Sequence, residues 1–477
     1  MLVSNTLRYV FARGGPGLAN FVALAVFTRL LGPDGYGSYA LVIATVGLGY
    51  AVLYQWLSLA TIRFAQSPQA DRSAVLAAVR RWYLRVSAAV AFVVAGAFAV
   101  GLPSVPRATI ALGGALLLAQ AWLEINLMLA AADRTPGRYG LLAGLRAVLA
   151  LGLGAVAATS GFGFNGVLAA AVVGFAVPGV WAAAVGWRSA PLANPARMDR
   201  ALFGYGAPLV GTFLLDFFVS TSDRMMIGAM HGAAAAGTYA AAYDLTQQSL
   251  WTLMMITNLA AYPLLVAAAE DPNRAALASF GRRHLGLLLA VGVPTAAGLA
   301  VLAPGISTAV FGDRFSVAAA GVLPIVAGAI LLGGIKAYYF DLAFQIARST
   351  RGQLAVAAVA GLVNVGLNVA WIPRWGGLGA AWATFCAYAV GLGLSVALGR
   401  RALRLPVSWS DLTRIGVATA GMVAVLWPFR GLTGAGILAL QIGAGGLLVG
   451  GFLWMTNPVD LRSQARHWWQ SRRMAER

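Results

Sequence analysis

Leu285 to Leu302 reads LGLLLAVGVPTAAGLAVL, a run without a charge or an alternation of polarity. A membrane-spanning helix needs about 20 apolar residues, because each residue rises about 1.5 Å across a hydrocarbon core of about 30 Å. A spanning β-strand would be about ten residues long and would alternate. The run therefore reads as a spanning helix. Runs of the same kind recur along the chain, at 7–31, 36–62, 82–102, 107–131, 139–160, 164–187, 202–229, 236–265, 284–303, 318–345, 352–373, 377–399, 412–430 and 434–456. The connections between them are short and rich in Gly, Pro and Arg. The expected fold is all-α: a polytopic membrane protein with about fourteen transmembrane helices.

Composition agrees. The chain is 60% hydrophobic and 10% charged over 477 residues, with a mean hydropathy of +0.77. A soluble domain carries about 25% charged residues, so this chain could not cover a water-facing surface. The net charge of +19 does not point to nucleic acid, because the basic residues sit at span ends and not on a soluble face. The single cysteine, Cys386, excludes an internal disulfide and any cysteine-based metal cluster. His231, His284 and His467 are scattered near span ends, so no metal or cofactor is expected. The first span carries Arg8 and Arg13 and lacks a short apolar core followed by a cleavage site, so it reads as a retained helix.

Orientation follows from the arginines. One set of connections holds Arg72, Arg80, Arg81, Arg134, Arg138, Arg188, Arg197, Arg200, Arg282, Arg283, Arg348, Arg351, Arg400 and Arg401, among others. The opposite set holds only Arg107, Arg314, Arg374 and Arg430. The rich side faces the cytoplasm under the positive-inside rule. The alternation holds through fourteen spans, and both termini are then cytoplasmic. The tail, 457–477, is basic and carries Trp468 and Trp469, as a helix lying on the membrane surface would.

The chain also repeats. Gly32, Gly37 and Tyr39 recur 200 residues later as Gly232, Gly237 and Tyr239. Arg138, Leu141 and Gly166 recur 213 residues later as Arg351, Leu354 and Gly379. Six spans per copy keep both copies in the same orientation, as in transporters that rock two lobes about a central site. The expected organisation is two parallel six-helix lobes, 1–190 and 200–400, then two further helices at 410–456 and the tail.

Three motifs converge on one family. The first is Arg29-Leu-Leu-Gly-Pro-Asp-Gly-Tyr-Gly-Ser-Tyr39, followed by Ala60-Thr-Ile-Arg-Phe64. The second is Asp223-Arg-Met-Met-Ile-Gly228, leading into Ala236-Gly-Thr-Tyr-Ala-Ala-Ala-Tyr243. The third is Asn364-Val-Gly-Leu-Asn-Val-Ala-Trp-Ile-Pro-Arg374, then Gly376-Gly-Leu-Gly-Ala-Ala-Trp-Ala383. Together they resemble the polysaccharide transporter branch (Wzx-type, O-antigen flippase) of the multidrug/oligosaccharidyl-lipid/polysaccharide (MOP) superfamily. The resemblance implies a flippase for undecaprenyl-pyrophosphate-linked oligosaccharide in a bacterial cytoplasmic membrane. By family analogy it also implies a glycan polymerase and a chain-length regulator as partners. The glycines themselves read mainly as turn and close-packing residues.

Ionisable groups inside spans are costly and normally face a cavity or a partner. Arg13, Glu124, Arg146, Lys336 and Asp341 fall in the cytoplasmic half of their spans. A pyrophosphate enters from the inner leaflet carrying negative charge, and Arg offers a rigid fork of donors for it. Arg13, Arg146 and Lys336 are the candidate pyrophosphate ligands. The alternative for each is a snorkelling side chain or an ion pair, with Asp341 the obvious partner of Lys336. Gly14, Gly15, Pro16 and Gly17 follow Arg13 and are expected to bend the first span. Glu124 and Asp216 are candidates for binding a coupling ion. Asp223, Arg224 and Asp244 lie toward the outer face and read as structural or gating groups. Two other functions fit the class: a cation-coupled multidrug antiporter of the same superfamily, and a membrane-bound glycan polymerase or transferase. The second would need an acidic catalytic motif or a large outer loop, and neither is found. No Walker motif or nucleophile elbow occurs either, so the reading is a transporter and not an enzyme.

Overall fold

The structure, a computed structural model, describes residues 2–67, 71–103, 105–187, 195–270, 275–347 and 349–457. Among these, the side chains of 2–16, 186, 195, 196, 212, 215, 216, 218–220, 260, 263, 270, 275 and 350 are excluded. The tail beyond 457 lies outside the described residues. The described chain is helical, with no strand beyond one isolated bridge between Leu102 and Val105. It forms two compact units, Met1–Gly237 and Thr238–Arg477.

The first unit holds α1 (Leu2–Leu53), α2 (Gln55–Ala65), α3 (Arg72–Val100), α4 (Arg107–Ala132), α5 (Pro136–Thr159), α6 (Gly163–Gly186), α7 (Pro195–Ser220) and the first part of α8 (Ser222–Thr246). The second holds the remainder of α8, then α9 (Thr252–Glu270), α10 (Ala275–Val301), α11 (Ala303–Ile306), α12 (Ser316–Ile335), α13 (Leu342–Ile346), α14 (Thr350–Ala402), α15 (Trp409–Leu426) and α16 (Ala435–Thr456). Among the described residues, ten helical stretches are long and apolar enough to cross a membrane. Two of them are double. The stretch Gly17–Leu53 contains Gly32, and Arg351–Ala402 contains Gly376, and both glycines leave helical geometry. With α7 to α9 added, the architecture is compatible with fourteen spans.

The breaks are where achirality is needed. Gly32 has φ 68° and ψ −179°, and Gly232 has φ 85° and ψ 173°. A side chain at such φ clashes with the backbone, so only glycine adopts it readily. The same correspondence holds for Gly101 (φ 75°) with Gly312 (φ 89°), and for Gly163 (φ 58°) with Gly376 (φ 52°). The sequence repeat is therefore also a repeat of turn geometry.

Helix ends are set by ordinary chemistry. Pro136 opens α5 in its first turn, where a missing N–H costs nothing. Asn457 ends α16 in the left-handed conformation. Asp71 caps α3: its carboxylate accepts from the Ser73 amide (2.9 Å) and the Ser73 hydroxyl (2.8 Å). These bonds, the hydroxyl's first, hold the Asp71 pKa below its ordinary value. A depressed carboxylate contributes stability above its unfolded pKa of about 3.9 and loses it as pH falls toward the folded value. Protection of the first amides of α3 against hydrogen exchange is expected to fall only under acid conditions. Ser73→Ala is expected to move that onset to higher pH.

In the first unit α5 packs on α6 and α1, and α4 packs on α6. A core of Val46, Leu116, Leu117, Ala121, Leu168 and Ala171 joins α1, α4 and α6, with Tyr54 beside it. In the second, α12 packs on α14 and α10, and α15 joins α10 and α16. Many side chains of α3, α5, α14 and α16 are exposed although large and apolar, Phe92, Val148, Leu362 and Leu447 among them. Such helices suit lipid as solvent and not water.

Candidate functional site

In the first unit, two charges stand at one depth. Arg146 lies ten residues beyond Pro136, about 15 Å along α5. Glu124 lies eight residues before Ala132, about 12 Å along α4 from the same end. That end is the α4–α5 turn, where Arg72 holds Asp133 through two bonds of 2.6 and 2.8 Å. Arg146 and Glu124 interact electrostatically, and Tyr50 of α1 also feels the Glu124 charge. The Arg146 guanidinium sits over the Phe175 ring of α6, 4.9 Å from its centroid. A cation–π contact steadies the guanidinium without neutralising it. Both Arg146 and Glu124 are half-buried. The Tyr50 hydroxyl donates to Ser58 at 3.0 Å. Here a partly exposed guanidinium inside a span is steadied by an aromatic ring.

In the second unit, Lys336 is engaged. Its Nζ donates to Asp341 Oδ2 at 2.6 Å, and Ser395 donates to Asp341 Oδ1 at 2.6 Å. The side chains are 13% and 6% exposed. Five residues apart, the two would point in different directions on a regular α-helix. A π-helical turn over Lys336–Phe340, closed by Asp341 N to Lys336 O at 2.9 Å, brings them together. Gly391 makes room: a β-carbon there would lie 3.1 Å from Lys336 Cε. The turn has further support. His284 Nε2 bonds the Tyr338 carbonyl at 2.7 Å, Trp251 lies 5.0 Å from the Tyr338 ring, and the Tyr339 hydroxyl donates to the Pro406 carbonyl.

The structure places the remaining sequence candidates as follows. Asp223 is buried and accepts from the Arg224 amide at 2.8 Å. Asp244 is half-buried on α8. Gly17 is exposed, with open space around its β-carbon position. The side chains of Arg13, Gly14, Gly15, Pro16 and Asp216 lie outside the described residues. The described departure from helical geometry in α1 falls at Gly32.

Several residues escaped the sequence reading. Asp199 of α7 accepts from Arg81 at 2.7 Å and from Arg85 at 3.2 Å, both on α3. It is a lone acid in an arginine-rich connection, and that was its one visible signal. Asn364, Asn368 and Thr384 form a buried ladder: Asn368 donates to Asn364 at 3.0 Å, and Asn364 donates to Thr384 at 3.3 Å. The ladder ties the two arms of α14, and its asparagines stand one helical turn apart inside the third motif. Phe175 and Ser395 carried no signal, being apolar or small residues within apolar runs.

The fold is that of the MOP transporters. It is similar to a structure described as "Lipid II flippase MurJ, inward closed conformation", with a TM-score of 0.77 at 12% identity over 94% of this chain and 98% of that one. It is also similar to an outward-facing multidrug resistance MATE family transporter of the MOP superfamily (TM-score 0.54, 16% identity, 84% of this chain and 94% of that one). A third is a MOP superfamily transporter from Pyrococcus furiosus (TM-score 0.54, 14% identity, 84% and 96%). No curated protein matches the sequence. The polysaccharide biosynthesis protein family model matches residues 26–320, and the chain belongs to that family.

Proposed function

We propose that this protein is a flippase. It moves undecaprenyl-pyrophosphate-linked oligosaccharide from the inner to the outer leaflet of a bacterial cytoplasmic membrane, by alternating access, for surface or exopolysaccharide synthesis. Two parallel six-helix lobes, 1–190 and 200–400, carry the motion, and both termini lie in the cytoplasm. The observation that carries the reading is Arg146: a half-buried guanidinium inside a span, seated over the Phe175 ring, in a chain of the polysaccharide biosynthesis family. The glycan must cross hydrocarbon while its lipid tail stays in lipid, and a fixed cation meets the pyrophosphate on the way. Glu124, with Asp216, is the candidate for a coupling ion. A glycan polymerase and a chain-length regulator are the expected partners.

Arg146→Ala is expected to slow flipping of a fluorescent undecaprenyl-pyrophosphate oligosaccharide in proteoliposomes at least tenfold, a loss of about 1.4 kcal/mol or more in transition-state terms. Arg146→Lys, which keeps charge but loses the fork, is expected to fall between. Native flipping that survives Arg146→Ala unchanged removes Arg146 from the path. Absence of native flipping, together with efflux of organic cations driven by a proton or sodium gradient, would favour the antiporter.

A further inference from the structure

The first unit contains a seam between α2 and α3 on one side and α7 on the other. Its centre is aromatic. Trp82 stacks on Phe203 with centroids 5.3 Å apart and planes 11° from parallel. Trp56 meets both edge-on, at 5.5 and 5.8 Å. Trp56 also lies flat against α7 at Gly206, where a β-carbon would approach its Cε3 to 2.4 Å. Leu202 is fully buried among Trp56, Leu57, Val75 and Val79. At one edge, Asp199 is shared by Arg81 and Arg85, and the Arg85 guanidinium sits 5.5 Å from the Trp82 centroid.

Three features set this seam apart from a permanent core. Two of the three helices that meet across it, α2 and α7, are bounded by one-residue interruptions of the helical run. The helical run breaks between Leu53 and Gln55, at Tyr54, and again between Ser220 and Ser222. The ionic clamp is only partly buried, with Arg85 58% and Arg81 25% exposed. Water therefore weakens it, and a contact of this kind is worth little on its own. The closed seam also leaves the Trp82 indole N–H buried without an acceptor among the described residues, which opposes closure.

We infer that this seam is the closed entry gate on the arginine-rich side, with Asp199 as its latch. Two guanidiniums share one carboxylate, and a pyrophosphate offers more negative charge and more acceptor oxygens than Asp199 does. An arriving head group takes Arg81 and Arg85 from Asp199, and the short segment α2 and helix α7 then swing about residues 54 and 221. The inference rests on the flippase reading for its cargo, so its test carries one arm that needs no cargo.

In a Cys386→Ala background, Trp56→Cys paired with Gly206→Cys can be cross-linked. The Trp56 Cβ lies 3.1 Å from the β-carbon position at Gly206, close to the roughly 3.5–4.5 Å that a disulfide uses. Oxidation is expected to reduce flipping of the fluorescent lipid-linked oligosaccharide at least tenfold, with recovery on reduction and no effect on either single-cysteine chain. A cross-linked protein that flips as fast as it does before oxidation overturns the gate. The second arm follows labelling of Leu202→Cys by an impermeant maleimide in inside-out vesicles. Asp199→Asn is expected to quicken that labelling at least tenfold, while leaving Leu142→Cys, buried elsewhere in the same unit, unchanged. Equal rates at Leu202→Cys with and without Asp199 overturn the latch. That result would hold whether or not the protein flips the oligosaccharide.

Discussion

Asp341→Ala is expected to cost about 3–5 kcal/mol of stability, read as a large fall in the thermal midpoint of the purified protein in detergent. The substitution strands the Lys336 ammonium, whose side chain is 13% exposed, and it takes the acceptor from Ser395. An unpaired buried charge is far more costly than a pair is beneficial. Lys336→Met with Asp341→Leu is therefore expected to recover most of the loss, because an apolar pair of similar volume is often as stable as the ions it replaces. The double variant also separates the two roles open to Lys336. A stable double variant that flips its substrate makes the lysine a structural counter-ion of the π-helical turn. A stable double variant that does not flip returns it to the pyrophosphate path. A mutant cycle over the pair isolates its coupling.

Gly37→Ala is expected to lower flipping at least tenfold while the protein remains in the membrane. The added carbon would lie 1.8 Å from the Ala233 carbonyl oxygen and 2.5 Å from its carbon. Both atoms are backbone, so no side chain can turn aside, and the segments must separate by about 1 Å in a close-packed interior. Gly237→Ala meets the Pro33 oxygen at 2.4 Å and the Gly37 nitrogen at 2.7 Å, and it is expected to act in the same direction, less strongly. Gly113→Ala is the control. Its nearest neighbour, Val42, is 3.5 Å away, and flipping should be unaffected. Equal activity in Gly37→Ala and Gly113→Ala would show that the Gly37 contact does not matter to transport.

The spans were legible because lipid leaves little freedom: a helix that must satisfy its own backbone in hydrocarbon needs length and apolarity, and both show in one dimension. The turns at Gly32 and Gly232 were legible because glycine has few substitutes at positive φ. The π-helical turn at Lys336–Phe340 was not. Its five residues, Lys-Ala-Tyr-Tyr-Phe, suit an α-helix equally well, and what fixes the extra residue is tertiary: His284 on the Tyr338 carbonyl and the Lys336–Asp341 pair. Sequence spacing had allowed Asp341 to neutralise Lys336 but could not choose between that and a free cation. Arg146 was legible as a charge within a span, but Phe175, which holds it, looks like any other apolar residue of α6. Asp199 was overlooked because a carboxylate in a connection is ordinarily solvated; only the approach of α3 to α7 gives it two arginines.

The matched glycines have a consequence for tracing ancestry. Gly32, Gly101 and Gly163 pair in geometry with Gly232, Gly312 and Gly376, so six positions resist replacement for reasons of chirality and not of cargo. At the 12% identity that separates this chain from the MurJ structure, residue matching gives little guidance to register. The achiral positions themselves are a steadier guide than the spacing between them, which differs between the two copies. Aligned on those six points, distant members of the fold should fall into phase at their turns even where no neighbouring residue agrees.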